Sequence, residues 1–167
     1  GKAVLNLNFE LPAYEHTSVD EIRSSYEIKR YLEEFATIVP RVDGVYENGI
    51  SVVAPSRTWS DDFSFSIAGI PALRNDFQDS EFMRTHYHSQ FDNEDTYNEE
   101  ALLFHLNLYG LLTIYYDRTA VVPLDFTARL DALKDSINED ILSSADVSSK
   151  ELIAEIDKAN EAAARVN

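Results

Sequence analysis

The stretch from Ala101 to Tyr116, ALLFHLNLYGLLTIYY, is apolar on nearly every face of a helix. A helix with no polar side must be covered on more than one side. His105, Asn107 and Gly110 interrupt the run, and it is shorter than the roughly 20 residues that span a bilayer, so it reads as a buried helix from Glu99 to about Asp117. A helix of that kind needs a sheet to lie against. KAVLNLNF, at residues 2–9, has the alternation of a strand. Ser18 and Asp20 offer capping oxygens to a helix running to about Val39, in which Ile28, Tyr31, Leu32, Phe35, Ile38 and Val39 recur at helical spacing and which Pro40 ends. GISVVAP predicts a second strand and IAGIPALRN a third, while TWSDDFSFS ahead of the latter is polar at its start and suits a short helix. Strand and helix in alternation predict an α/β fold with a parallel sheet under covering helices.

With 167 residues, 44% of them hydrophobic, the chain buries one sizeable core, which fits one domain or one large piece of a domain. Acidic residues outnumber basic ones by 30 to 14, and a formal charge of -16 repels phosphate backbones and anionic lipid. Neither nucleic acid nor a membrane surface is therefore expected as a partner, and no membrane span is read in this chain. The sequence has no cysteine, which excludes disulfides and thiolate metal sites, so any metal must sit on oxygen and imidazole.

The last forty or so residues change character. Phe126, Leu130, Leu133, Ile137 and Ile141 step by three or four, and Leu152, Ile156, Ala159 and Ala163 do the same behind a Ser148 to Glu151 capping box. An αα-hairpin with a narrow apolar stripe is expected.

Chemistry concentrates in FMRTHYHSQFDNEDTY, residues 82–97, where His86 and His88 precede Asp92, Glu94 and Asp95. The segment follows the third predicted strand, and loops leaving the carboxyl ends of strands hold the ligands of open α/β sheets. Two histidines do not complete a zinc site, which takes three or four protein ligands, so spacing alone admits both a solvated acidic loop and one edge of a metal centre. The pairs Glu33-Glu34 and Glu99-Glu100 read as helix-surface and first-turn acids. His16 falls in a polar loop, and His105, inside the apolar helix, reads as a packing residue. No G-x-S-x-G elbow or glycine-rich phosphate loop occurs, and there are five glycines in all.

The order of KAVLNLNF, SDDFSFSIAGIPAL, YHSQFDNEDTY, the long apolar helix and VVPLDF resembles the carboxyl-terminal part of the M28 metallopeptidase family, in its glutamate carboxypeptidase II and transferrin receptor branch. The resemblance covers about residues 1–135. It implies a partial three-layer α/β/α sheet of the zinc-peptidase type followed by a C-terminal helical hairpin. Residues 1–125 would belong to the peptidase domain, and 126–167 would resemble the start of a dimerisation domain. In such peptidases two zinc ions share a bridging carboxylate, a glutamate activates the bridging water, and a late histidine completes one zinc. The resemblance places that metal ligand at His88 and the oxyanion-binding, catalytic tyrosine at Tyr87. It gives His86 no role. The family's aspartate ligand in an N-x-D motif falls on Asn8, a degenerate metal-ligand position, because LNLNF stands there. Nothing in the chain matches the family's first histidine, bridging aspartate or Glu-Glu pair. The implied function is that of a piece of an amino- or carboxypeptidase acting on peptides or acylated amino acids, inactive in isolation. The alternative is a non-catalytic pseudopeptidase module used for protein association. A sheet severed at a central strand would also expose an edge, and self-association is expected from it.

Overall fold

Residues 3–14, 17–76 and 80–166 are described by a computed structural model, and within them lies a mixed α/β fold. Strands β1 (Asn6–Asn8), β2 (Asp20–Ser24), β3 (Ile50–Val53) and β4 (Ala72–Asp76) form one sheet in the order β1-β4-β2-β3. β1 runs parallel to β4 and β2 parallel to β3, but β2 lies antiparallel to β4. The sheet is therefore mixed, where strand and helix alternation predicts a parallel one.

The difference begins at Asp20. The segment expected to open the first helix is β2, whose inward positions are Asp20, Ile22 and Ser24. Two of these three are polar, so the two-residue period carries almost no apolar signal. Helix α1 (Tyr26–Ala36) starts only afterwards, buries Ile28, Leu32 and Phe35, and ends short of Pro40. Ser25 does not cap it through its side chain. Its backbone N–H donates to the Ala72 carbonyl at 2.8 Å and its Oγ accepts from the Ala72 N–H at 3.0 Å, so the β2–α1 corner is pinned to the start of β4.

Pairing sets Leu7 beside Leu73 and Asn8 beside Arg74, and across the antiparallel seam Arg23 faces Arg74 and Glu21 faces Asp76. Because side chains alternate along a strand, Leu7, Ile22 and Leu73 point to one face and Glu21, Arg23, Arg74 and Asp76 to the other. The apolar face packs with α1 and α4 (Glu99–Asp117) in one core. Asn98 caps α4 by accepting from the Ala101 N–H at 2.8 Å. The helix buries Phe104, Leu108, Tyr109 and Leu112 while Leu103, Leu106 and Ile114 on its other side stand about half exposed. β1, the short strand at the sheet's edge, lies beyond the half-exposed Val4.

The segment TWSDDFSFS supplies α2 (Phe63–Ile67), and α3 (Glu81–Thr85) and a 3₁₀ turn (Glu94–Thr96) follow β4. The carboxyl-terminal hairpin has a broken first arm, α5 (Thr127–Asp135) and α6 (Glu139–Ser144), before α7 (Lys150–Ala163). The break falls where Asn138 caps α6 by accepting from the Ile141 N–H at 3.0 Å. Lys134 meets Asp157 at 2.6 Å and the Asn160 amide donates to Asp131 at 2.5 Å, joining α5 to α7. The expected Ser148–Glu151 capping box does not form: the Ser148 hydroxyl accepts from the Lys150 N–H at 3.4 Å, and Ser149, at the N-cap of α7, donates to Glu139.

Leu108 is 1% exposed and Leu106 is 52% exposed on the same helix. Urea unfolding should therefore show Leu108→Ala destabilising by about 2–5 kcal/mol and Leu106→Ala changing stability by no more than about 0.5 kcal/mol.

Candidate functional site

Strand β4 buries all five residues from Ala72 to Asp76, and two of them are charged. Arg74, 1% exposed, donates to Glu10 at 2.9 Å and to Asp76 Oδ1 at 2.5 Å. Arg23 donates to Asp76 Oδ2 at 2.6 Å and to Glu21 at 3.0 Å, and Arg57 reaches the same Asp76 oxygen at 3.1 Å. Burial pushes the Asp76 carboxyl up. Hydrogen bonds from Arg23 and Arg57, with the charges of Arg74 and Arg57, outweigh that and hold it below the usual aspartate range. The guanidiniums of Arg57 and Arg74 also lie 5.2 and 5.3 Å from the centroid of the Trp59 ring.

This network ends on Glu10, two residues past β1, and so anchors the loop that leaves the carboxyl end of that strand. The Glu10 N–H donates to the Asn75 side chain at 2.9 Å, and the Ala13 carbonyl accepts from the Asn98 N–H at 2.8 Å. Leu11 between them has a φ of 44°. The Tyr14 hydroxyl then donates to Asp92 at 2.8 Å, and its ring stacks on Phe82 with centroids 4.0 Å apart. In this way the 9–14 loop carries the segment that follows α3.

That segment holds Tyr87 and His88. Ser80 caps α3 by accepting from the Met83 N–H at 3.3 Å, and the helix closes at His86. His88 takes a φ of 55°, a left-handed conformation uncommon outside glycine and one that clusters at functional sites. The Tyr87 and His88 rings stack with centroids 3.9 Å apart and planes 19° from parallel. Tyr87 is half-buried and His88 exposed. Burial raises the Tyr87 phenol, nearby Glu10, Asp61 and Asp92 raise it further, and Arg74 opposes them. The charges that bear on the tyrosine thus come from Glu10 just past β1, Arg74 of β4, Asp61 ahead of α2 and Asp92.

Asn8 lies in β1 itself, in register with Arg74, and its Nδ2 is buried with no hydrogen-bond partner among the described residues. His86 packs flat against Phe82 at 5.9 Å with its Nδ1 2.6 Å from the Thr85 hydroxyl, a local packing role. Glu33 and Glu34 pair with Lys29 and Arg30 on the surface of α1, the latter pair at 3.4 Å. His105 is fully buried, and His16 lies outside the described residues. Among the described residues no three His, Cys, Asp or Glu side chains gather as they would around a metal ion, and no helix is long and apolar enough to cross a membrane.

The arginine–carboxylate network has only a faint signal in the sequence. Its trace in the sequence is charge at alternate positions of two short strands, Glu21 and Arg23 in DEIRS and Arg74 and Asp76 in ALRND. Comparison of the chain with family models, with curated proteins and with solved structures gave no match.

The surroundings of Tyr87 give a pH dependence of definite sign. In a spectrophotometric titration, the difference between wild type and Tyr87→Phe should show Tyr87 ionising above the ordinary tyrosine value of about 10, so the O–H is intact at neutral pH. Ionisation at or below that value would contradict the assignment.

Proposed function

We propose that this chain is the carboxyl-terminal portion of a zinc peptidase of the M28 kind, from the glutamate carboxypeptidase II and transferrin receptor branch. In the complete protein it acts on peptides or acylated amino acids, and alone it is inactive. The observation that supports the reading is the stacked Tyr87–His88 pair in the segment that follows β4 and α3. On this reading residues 1–125 belong to a three-layer peptidase domain, and 126–167 begin a helical dimerisation domain.

The exposed imidazole of His88 suits one position in a zinc coordination sphere. Three or four protein ligands are needed, more than the described residues gather, so this chain does not fit the metal by itself and the other ligands come from the rest of the protein. Bound zinc supplies a Lewis acid and a hydroxide nucleophile. Tyr87 contributes from this chain: its phenol keeps its proton at neutral pH and donates to an oxyanion as charge develops there. The stack against His88 holds the two rings in one orientation.

Asn8 favours a second reading, a pseudopeptidase module that keeps the fold for association. A neutral amide in a strand position where the family has a carboxylate weakens a second metal.

Isothermal titration of zinc into the chain should reveal no site tighter than micromolar and no peptide hydrolysis. A tighter site with turnover contradicts the proposal. In the complete protein Tyr87→Phe should lower kcat by about 100- to 1,000-fold with little change in KM. A large gain in zinc occupancy on Asn8→Asp supports the pseudopeptidase reading, whereas activity in the protein with Asn8 intact counts against it.

A further inference from the structure

We propose that His105, oriented by Asp20, is a buried clamp that sets the 9–14 loop and, through it, the position of the 82–92 segment. This goes beyond the peptidase reading and does not depend on it. His105 is 0% exposed and Asp20 is 3% exposed. The imidazole Nδ1 lies 2.7 Å from the Pro12 carbonyl oxygen and Nε2 lies 3.1 Å from Asp20 Oδ1. A carbonyl oxygen only accepts, so Nδ1 carries the hydrogen toward Pro12, while Nε2 faces the Asp20 carboxyl. Asp20 is fixed in turn by its place at the start of β2, where its N–H donates to the Gly49 carbonyl at 2.9 Å.

The rings of Tyr46, Phe104, Phe9 and Tyr109 surround the imidazole, with centroids 5.3, 5.4, 6.3 and 6.5 Å away. Such a box leaves the imidazole little room to turn. Pro12 sits between the loop's other fixed points, the Glu10 N–H on Asn75 and the Ala13 carbonyl under the Asn98 N–H. From the end of that loop, Tyr14 holds Asp92 by its hydroxyl and Phe82 by its ring. A side chain in the middle of α4 thus governs a surface segment that it does not itself touch in any of these contacts.

Hydrogen exchange on the full chain tests the clamp. A glutamine at position 105 offers a donor toward Asp20 but none toward Pro12. In His105→Gln, the amides of Glu10, Asn98, Ser89 and Asp92 should exchange at least about tenfold faster, the cost of one buried unsatisfied carbonyl. Those of α7 should be unchanged. Asp20→Ala should give the same pattern. Equal acceleration in α7, or no change in the 9–14 and 82–92 amides, would overturn the proposal. Should the variants not fold, nitrogen NMR of the wild-type imidazole decides: a protonated Nδ1 is expected, and a bare Nδ1 overturns the clamp.

Discussion

The carboxylate of Asp76 and the guanidinium of Arg74 lie buried on the same strand, and the rest of the sheet is arranged so that neither is left alone. β4 is the only strand in the described sheet with both β1 and β2 as neighbours. Its two charges call in Arg23 from β2, Arg57 from the segment after β3 and Glu10 from the end of β1. Buried ion pairs add little net stability when whole, but breaking one strands a charge at a cost of about 3–5 kcal/mol. The network therefore acts as a specification of partners. A register shift of one residue would turn Arg74 and Asp76 into the apolar core and Leu73 out of it.

The two faces of the sheet do different work. On one, Ile22 and Leu73 join α1 and α4 in an apolar core; on the other, the ionic network reaches Glu10 and so determines where the 9–14 loop departs. Tyr14 then meets Phe82 and Asp92, which flank the stacked rings of Tyr87 and His88 in the chain. The strained backbone at Leu11 and His88 falls on this same path, with φ of 44° and 55°. Strain of that kind persists where surrounding contacts over-determine it.

The parts of the fold legible in the sequence are those with long or alternating apolar runs. α4 has the expected boundaries, Glu99 and about Asp117, and β3 falls within GISVVAP, but β4 takes only the last part of IAGIPALRN, because Ile67 closes α2 and Gly69 turns the chain with a φ of 78°. β2 is hidden in the sequence because its inward positions Asp20 and Ser24 are polar; Asp20 is accommodated there by His105, which meets its Oδ1 from α4. The antiparallel pairing of β2 with β4 is what makes the sheet mixed. At the candidate site, Tyr87 and His88 are neighbours in the motif YHS, but neither the stacking of their rings nor the Arg74–Asp76 network is legible there. Burial decides whether a charged strand residue is a surface ornament or an anchor, and burial is set by contacts 50 to 65 residues apart in the chain.

Stability as a function of pH, measured by denaturant unfolding of wild type and Asp76→Asn, tests the network most directly. The folded carboxyl of Asp76 titrates below its unfolded value of about 3.9, so its contribution is complete above that pH and disappears as the pH falls through the folded value. The account predicts that Asp76→Asn is weaker near neutrality by about 3–5 kcal/mol, and that the gap to wild type closes on acidification. Two parallel curves, separated by less than about 0.5 kcal/mol at neutral pH, would contradict it.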